Sequence, residues 1–568
     1  MERRLLLVFA LTFLVIIASQ PLLKKYLPQP PAPAKQQQTQ NPPPAQASEA
    51  ALVAPPSSAP VTESARQAST ESETVFENDL YRITFTNRGA QVKSWILKKY
   101  DNDTQDGPLD LVHPTAAAKY GYPLSLWLYD EGQRNKINSA LFVPSVTGVQ
   151  RAPGELSFEY AGDDLVVRKT FRFDGSYVVK IETSATFKGS PLTALPVWPS
   201  GFGDETTPAA YGASRVEYQY NSTVERIAAK KVSGGATISG PFNWAGVTDQ
   251  YFGAIFLPDR IQSASLVTLR NTIDVPKDLQ NPNPQDTVKE EVLGAAVGDA
   301  KGPTSERLYV GPKSLSDLEK VPVAGVVDTE PDLRHLLDFG WLGVIARPLF
   351  LWLRWTYGFV HNWGWAIVIQ TLIINLALMP LRISQMKSAL KMQKVAPQIK
   401  AIQEKYKKYS IRDPRKQEMN QEVSALYKKE GVNPVGGCLP LVIQMPFLFA
   451  YYRMLGVAID LRHAHWLWVK DLSSPDPYHI LPIAIIITML FTQRMTPQAG
   501  MDPSQQKMMN MIMPVMLGVI SWSLAAGLCL YWSEGNLIAM AQQLVMNRTA
   551  LGREMREMME KRARKKDK

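Results

Sequence analysis

The chain has 568 residues, 45% of them hydrophobic and 20% charged, with a formal net charge of +10. Such a length accommodates about two to four domains. Its two cysteines, Cys438 and Cys529, exclude a disulfide-dense scaffold and a cysteine-rich zinc module, and both read as packing thiols at or inside apolar runs. No G-x-x-x-x-G-K-[ST], H-E-x-x-H or G-x-S-x-G occurs, so an ATP-driven machine or a common hydrolase has no motif behind it, and no cofactor or metal is expected.

Residues 1–23 place Arg3-Arg4 before the apolar run Leu5–Ala18, then Pro21-Leu22-Leu23 and Lys24-Lys25. A cleaved signal peptide and an uncleaved anchor share this outline. Ala18-Ser19-Gln20 is a poor cleavage site, and an apolar length of about 19 residues makes roughly 28 Å of helix. An N-terminal transmembrane anchor is favoured, its start held in the cytosol by Arg3 and Arg4. Residues 24–73 alternate Pro with Gln, Ala and Ser, from Pro28 to Pro60. Proline lacks a backbone donor and the aliphatic content is too low for a core, so this is expected to be an extended, disordered linker.

Residues 74–330 carry period-2 patterns: Tyr81, Ile83, Phe85, then Leu156, Phe158, Tyr160. Asp174-Gly175 sits between Phe171, Phe173 and Tyr177, Val179, Ile181, a hairpin signal. Turn clusters recur at Gly201-Phe202-Gly203, Ser233-Gly234-Gly235 and Asn281-Pro282-Asn283-Pro284. These predict one all-β domain, a large sandwich. Its aromatics could bind sugar or peptide, but no carboxylate pair or ligand set supports that, and a structural or docking role leads.

Residues 332–360 are amphipathic and aromatic, with Trp341, Trp352, Trp355 and Tyr357 interrupted by Arg347, Pro348 and Arg354. Trp, Tyr and Arg belong at headgroup level, so an interfacial helix is expected. Residues 361–546 hold apolar runs at about 363–381, 437–458, 478–493, 508–526 and 528–546, each long enough to cross roughly 30 Å of hydrocarbon. Between the first two lies the polar insert 382–431, with thirteen Lys and Arg against five acids. Ile399, Ile402, Tyr406 and then Met419, Val423, Leu426, Tyr427 keep helical spacing around a break at Arg412-Asp413-Pro414, which reads as a helical hairpin. The tail 547–568 adds nine basic and four acidic residues.

The basic hairpin and tail must share the cytosolic side. One helix at 363–381 followed by four more satisfies this, with 24–362 outside and both termini in the cytosol. A span at 341–360 would turn the hairpin outward. The expected fold is therefore a polytopic α-helical membrane protein: an anchor helix, a five-helix core and a large external all-β domain. The basic charge suits nucleic acid, anionic lipid headgroups, or plain retention on the cytosolic side.

Polar groups inside hydrocarbon are functional candidates. The first core helix offers Gln370, Thr371 and Asn375, with Thr371 and Asn375 one turn apart and Arg382 seven residues beyond Asn375 on the same face. The second offers Gln444, Tyr451, Tyr452 and Arg453, and the last Tyr531, Trp532, Ser533, Glu534 and Asn536. Depth counting places Asn375 and Gln444 at nearly equal levels. It also places Arg453 and Glu534 both roughly 8–9 Å below the outer surface, where a pair would spare each the cost of burial alone. If the two helices are neighbours, that pair is expected to close their outer end; otherwise Arg453 snorkels outward and Glu534 stays neutral, and Arg382 lies near the cytosolic end.

The motifs Asn362-Trp363-Gly364, Met379-Pro380-Leu381, Tyr427-Lys428-Lys429-Glu430-Gly431-Val432-Asn433-Pro434, Gly436-Gly437-Cys438-Leu439-Pro440, Gln444-Met445-Pro446, Asp471-Leu472-Ser473 and Asp476-Pro477-Tyr478 run in order. In them the chain resembles the YidC membrane-protein insertase family in its long bacterial form. The motif match covers about 360–546; over 1–330 the likeness is one of architecture. The resemblance implies a periplasmic β-supersandwich, the bacterial inner membrane, and a lateral groove that receives hydrophobic segments of nascent membrane proteins. It implies work beside the Sec translocon, with the signal recognition particle and ribosome on the cytosolic face. It maps groove positions to Thr371, Met445, Leu448, Tyr531 and Trp532. The family's groove arginine falls at Asn375, so the polar groove is expected here without that fixed charge. A transporter would need inverted repeats, and none is found in 361–546. An intramembrane hydrolase would need a nucleophile and base at one depth, and no histidine lies well inside a run.

Overall fold

The computed structural model describes residues 66–549 except 207, 221–222, 277–285, 326–331, 410–412, 432–438 and 496–507, and beyond them 553 and 557. The expected anchor, most of the linker, most of the basic tail, the Asn281–Pro284 turn and the Gly436-Gly437-Cys438 stretch lie outside the described residues.

Alternation in the first part of the chain produces sheets. Among the described residues one sheet has ten strands and two have five, nearly all antiparallel. Tyr81, Ile83 and Phe85 are fully buried, as are Leu156 and Phe158, because a period of two puts every second side chain on the packed face. The Asp174-Gly175 hairpin forms as read, joining the strands Leu165–Phe173 and Val178–Phe187 with Phe173 opposite Val179. The first five-stranded sheet packs on the ten-stranded sheet through an aromatic cluster, with Phe76 stacked on Phe173 at 4.2 Å and Phe85 against Phe158 and Phe171. The second is built on the long hairpin Ala264–Pro276 and Thr287–Asp299, and it packs on the ten-stranded sheet.

One core position breaks the apolar rule. Lys169 is fully buried, and its ammonium donates to the carbonyl oxygens of Gly89, Ala90 and Leu124 at 2.7, 3.0 and 2.8 Å. Three acceptors match the three N–H groups of the protonated form. Burial nonetheless pulls the pKa down to about 7.

The helices follow. α1 spans Gly343–Val360, α2 Trp363–Ala377, α3 Met379–Lys405, α4 Arg415–Lys429, α5 Leu439–Val457, α6 Ile480–Met495, α7 Met513–Ser521 and α8 Ala526–Arg548. α1 buries Ala346, Leu349, Phe350 and Leu353 and exposes Trp341 just before it, Val344, Trp355 and Phe359. Its outer face is thus apolar as well, which suits an apolar environment better than water.

The core runs differ from expectation in length. Among the described residues no helix is long and apolar enough to cross a membrane. The first run is divided at Leu378, so α2 keeps 15 residues and α3 carries the chain straight into the polar insert. The fourth is divided between a π-helical turn at Met508–Ile512 and the nine residues of α7. The chain between the last two runs turns at 522–525, and Gly527 lies inside α8 against the Leu472 carbonyl. The insert does form a hairpin. Val395 and Ile399 of α3 pack on Val423, Leu426 and Tyr427 of α4, and Glu422 accepts from Lys405 at 2.8 Å and from Tyr406 at 2.7 Å.

The β domain and the helices meet at a polar junction. The largely buried Arg462 donates to the Asp101 carbonyl at 2.8 Å and to Asp103 at 2.9 Å, and Gln250 donates to the Gly456 carbonyl at 3.1 Å. Beside it lie three buried carboxyl groups. Burial and the neighbouring Asp249 raise Asp204, burial raises Asp249, and burial pushes Glu205 up to about 8.

Candidate functional site: a polar seam between helices

α2 is anchored at its start. The Asn362 side chain caps the helix by accepting from the Trp365 amide at 3.1 Å, and it donates to the His465 carbonyl at 3.0 Å. Gly364 then sits where any Cβ would lie 2.1 Å from the Trp466 ring, so glycine is what lets α2 approach the loop before α6. These contacts give the Asn362-Trp363-Gly364 motif a local reason.

Farther along α2, Gln370, Thr371 and Asn375 are all buried. Gln370 donates to the Leu349 carbonyl of α1 at 3.0 Å and accepts from the Tyr451 hydroxyl of α5, tying three helices together. Thr371 donates to the Ile367 carbonyl at 2.7 Å, and Asn375 to the Thr371 carbonyl at 2.8 Å. The Arg382 guanidinium of α3 donates to Asn375 Oδ1 at 3.4 Å.

α8 faces this ladder. Tyr531 stacks on Tyr451 with ring centroids 4.0 Å apart and planes 12° apart. Glu534 follows, its carboxyl beside the Thr371 side chain. Gly535, one turn after Tyr531, brings the α8 backbone close to Asn375, and Gln542 donates to the Asn375 carbonyl at 3.3 Å. Tyr531, Gly535 and Gln542 share one face because spacings of four and seven residues return to the same side of a helix. Three buried polar atoms on α8 have no hydrogen-bond partner among the described residues: Glu534 Oε2, Asn536 Nδ2 and Gln542 Oε1.

Several expected residues are therefore brought together: Thr371, Asn375, Arg382 and Tyr531, joined by Gln370, Tyr451 and Gln542. Met445 is exposed on α5, and Leu448 and Trp532 are half-buried. The Gln444 side chain lies outside the described residues. Gln542 was not singled out in the sequence, although a glutamine pair inside an apolar run was the available signal.

The expected Arg453–Glu534 ion pair is not formed. Arg453 is exposed and lies against Gly340, where a Cβ would sit 3.3 Å from its Nε. The reason is azimuthal. Tyr451 faces α8, and two residues farther on a helix turns by about 200°, so Arg453 leaves on the opposite side. Equal depth put the two groups at one level but on different faces.

Comparison with known proteins gives the seam its context. Residues 355–553 match the family described as 60Kd inner membrane protein, and residues 73–352 match the YidC periplasmic domain. The chain is 32% identical to the membrane protein insertase YidC of Cupriavidus necator, over 87% of this chain and 86% of that one. It is 32% identical to that of Geobacter metallireducens over 88% and 89%. Among solved structures, an active YidC insertase with its first transmembrane domain resolved aligns at 19% identity over 85% of this chain and 94% of that one, with a TM-score of 0.35. Two adjoining family matches and relatives of this identity over nearly the whole length carry one conclusion: the chain belongs to the YidC family of membrane protein insertases.

Proposed function

We propose that the seam between α2, α5 and α8 is the groove through which this insertase passes hydrophobic segments of nascent membrane proteins. The single observation that carries the reading is the buried polar ladder Gln370–Thr371–Asn375–Arg382, faced by Tyr531, Glu534 and Gln542 on α8, within helices whose remaining surface is largely apolar. A polar path part-way into a bilayer shortens the hydrocarbon that a client's polar end must cross. The client's apolar segment then leaves sideways into lipid, driven by burial of its own surface, and no covalent chemistry is needed.

In this reading Thr371 and Asn375 form the polar floor. Met445, Leu448 and Trp532 offer apolar contact, the Tyr451–Tyr531 stack closes the outer end, and Arg382 stands at the cytosolic end. The β domain lies in the periplasm and α1 in the outer interface, with its Trp355 and Phe359 toward acyl chains. Both termini are cytosolic, 1–23 is an anchor, and the core between 361 and 546 spans the inner membrane. The basic hairpin and tail meet ribosome, signal recognition particle and anionic lipid, and the core works alone or with the Sec translocon.

The test is site-specific crosslinking. A photoreactive residue at Met445 in the full-length protein is expected to capture a ribosome-bound client, and one at Trp355 is not. Capture from Trp355 alone would refute the groove.

A further inference from the structure

Glu534 is the one acidic side chain of the seam among the described residues. Its carboxyl lies beside Thr371, and its Oε2 is closed off from solvent with no hydrogen-bond partner among the described residues. The cation expected for it from the sequence, Arg453, lies on the far face of α5 against Gly340. The cation that does reach the seam, Arg382, bonds Asn375, one helical turn from Thr371 toward α3. The Thr371–Asn375 ladder thus carries an acid at one level and a guanidinium about 6 Å along the helix axis from it. The two groups stand at different levels of the path, Arg382 bonded to Asn375 and not to Glu534.

A carboxyl with an enclosed, unmet acceptor oxygen is incomplete, and a hydrogen-bond donor brought by another molecule completes it. An ammonium or guanidinium does so best, because a charge-assisted hydrogen bond is roughly twice as strong as a neutral one. A client carboxylate brings no donor to that oxygen. We infer that Glu534 is a specificity-determining residue of the groove: it favours clients whose translocated polar residues are donors, Lys and Arg foremost, and disfavours acidic ones. The inference rests on the groove reading above.

The experiment uses full-length protein in proteoliposomes of neutral phospholipid without a membrane potential. The clients are single-span proteins with short translocated tails bearing two Lys, two Gln or two Asp, and insertion is read by protease protection. The Lys-to-Asp insertion ratio is expected to fall about tenfold from wild type to Glu534→Gln, the scale of one charge-assisted hydrogen bond. A Gln keeps the shape, so loss of the ratio reports the carboxyl group rather than packing. An unchanged ratio, with crosslinks from Met445 to the tails intact, overturns the role of Glu534 and leaves the groove standing. Absence of those crosslinks in wild type overturns the groove and the inference with it. Wild type alone also decides: Asp tails inserted as well as Lys tails refute the selectivity without any variant having to fold.

Discussion

The Arg382 guanidinium donates to Asn375 Oδ1 at 3.4 Å across the helix break at Leu378. Asn375 stands where the resemblance places the family's groove arginine, so the positive charge reaches the seam from α3 and α2 holds its neutral partner. The break allows it: α3 starts afresh at Met379, and Arg382 can fold back over the last turn of α2.

Asn375→Leu removes both the acceptor for Arg382 and the donor to Thr371. Insertion of clients with charged translocated tails is expected to drop about three- to tenfold, the range of one or two hydrogen bonds, while purely apolar clients change less. Arg382→Gln should shift the same clients in the same direction. Parallel insertion assays with the two client types check this, and an equal loss for both contradicts it.

The hairpin of α3 and α4 closes on itself through Val395, Ile399, Val423 and Leu426 and through the Glu422 contacts. Deleting 383–431 and joining the ends with a flexible linker is expected to lower insertion severalfold. The melting temperature of the purified remainder should move by less than about 4 °C, the equivalent of roughly 1 kcal/mol. Failure of the remaining helices to assemble contradicts it.

Gly364→Ala forces a methyl group to within 2.1 Å of the Trp466 ring. Overpacking of this kind costs about 1–3 kcal/mol. The full-length protein in detergent should melt lower, and Gly364→Ala combined with Trp466→Leu should recover part of the loss. No rescue in the double variant removes the steric explanation.

Lys169→Met keeps much of the volume but orphans the Gly89, Ala90 and Leu124 carbonyls. A cost of about 2–4 kcal/mol is expected from the lost donors. The pH dependence has a definite sign. The folded pKa is about 7, below the ordinary lysine value of 10.5. The unfolded chain therefore binds more protons between these values, and the lysine's contribution to stability rises with pH across that window. The gap between wild type and Lys169→Met should widen from pH 7 toward 10.5 in paired melting curves. A gap that narrows refutes the assignment.

By itself the sequence determined what local periodicity encodes. Tyr81, Ile83 and Phe85 point inward, Asp174-Gly175 turns a hairpin, Thr371 and Asn375 share a face, and the ordered motifs from Asn362 to Tyr478 carry the family. These follow from the 2.0 and 3.6 residue repeats and from turn chemistry, which act over a few residues. The tertiary structure decided what depends on partners far along the chain. The apolar runs restart as new helices after Leu378 and after Ile512, each with a proline, Pro380 or Pro514, in its first turn. Which way Arg453 points depends on Tyr451 having found Tyr531 and Gln370, contacts 80 and 81 residues away in sequence. Depth can be counted along one helix; azimuth is set only when several helices pack, because each then turns its best-matching face inward and carries every other side chain round with it.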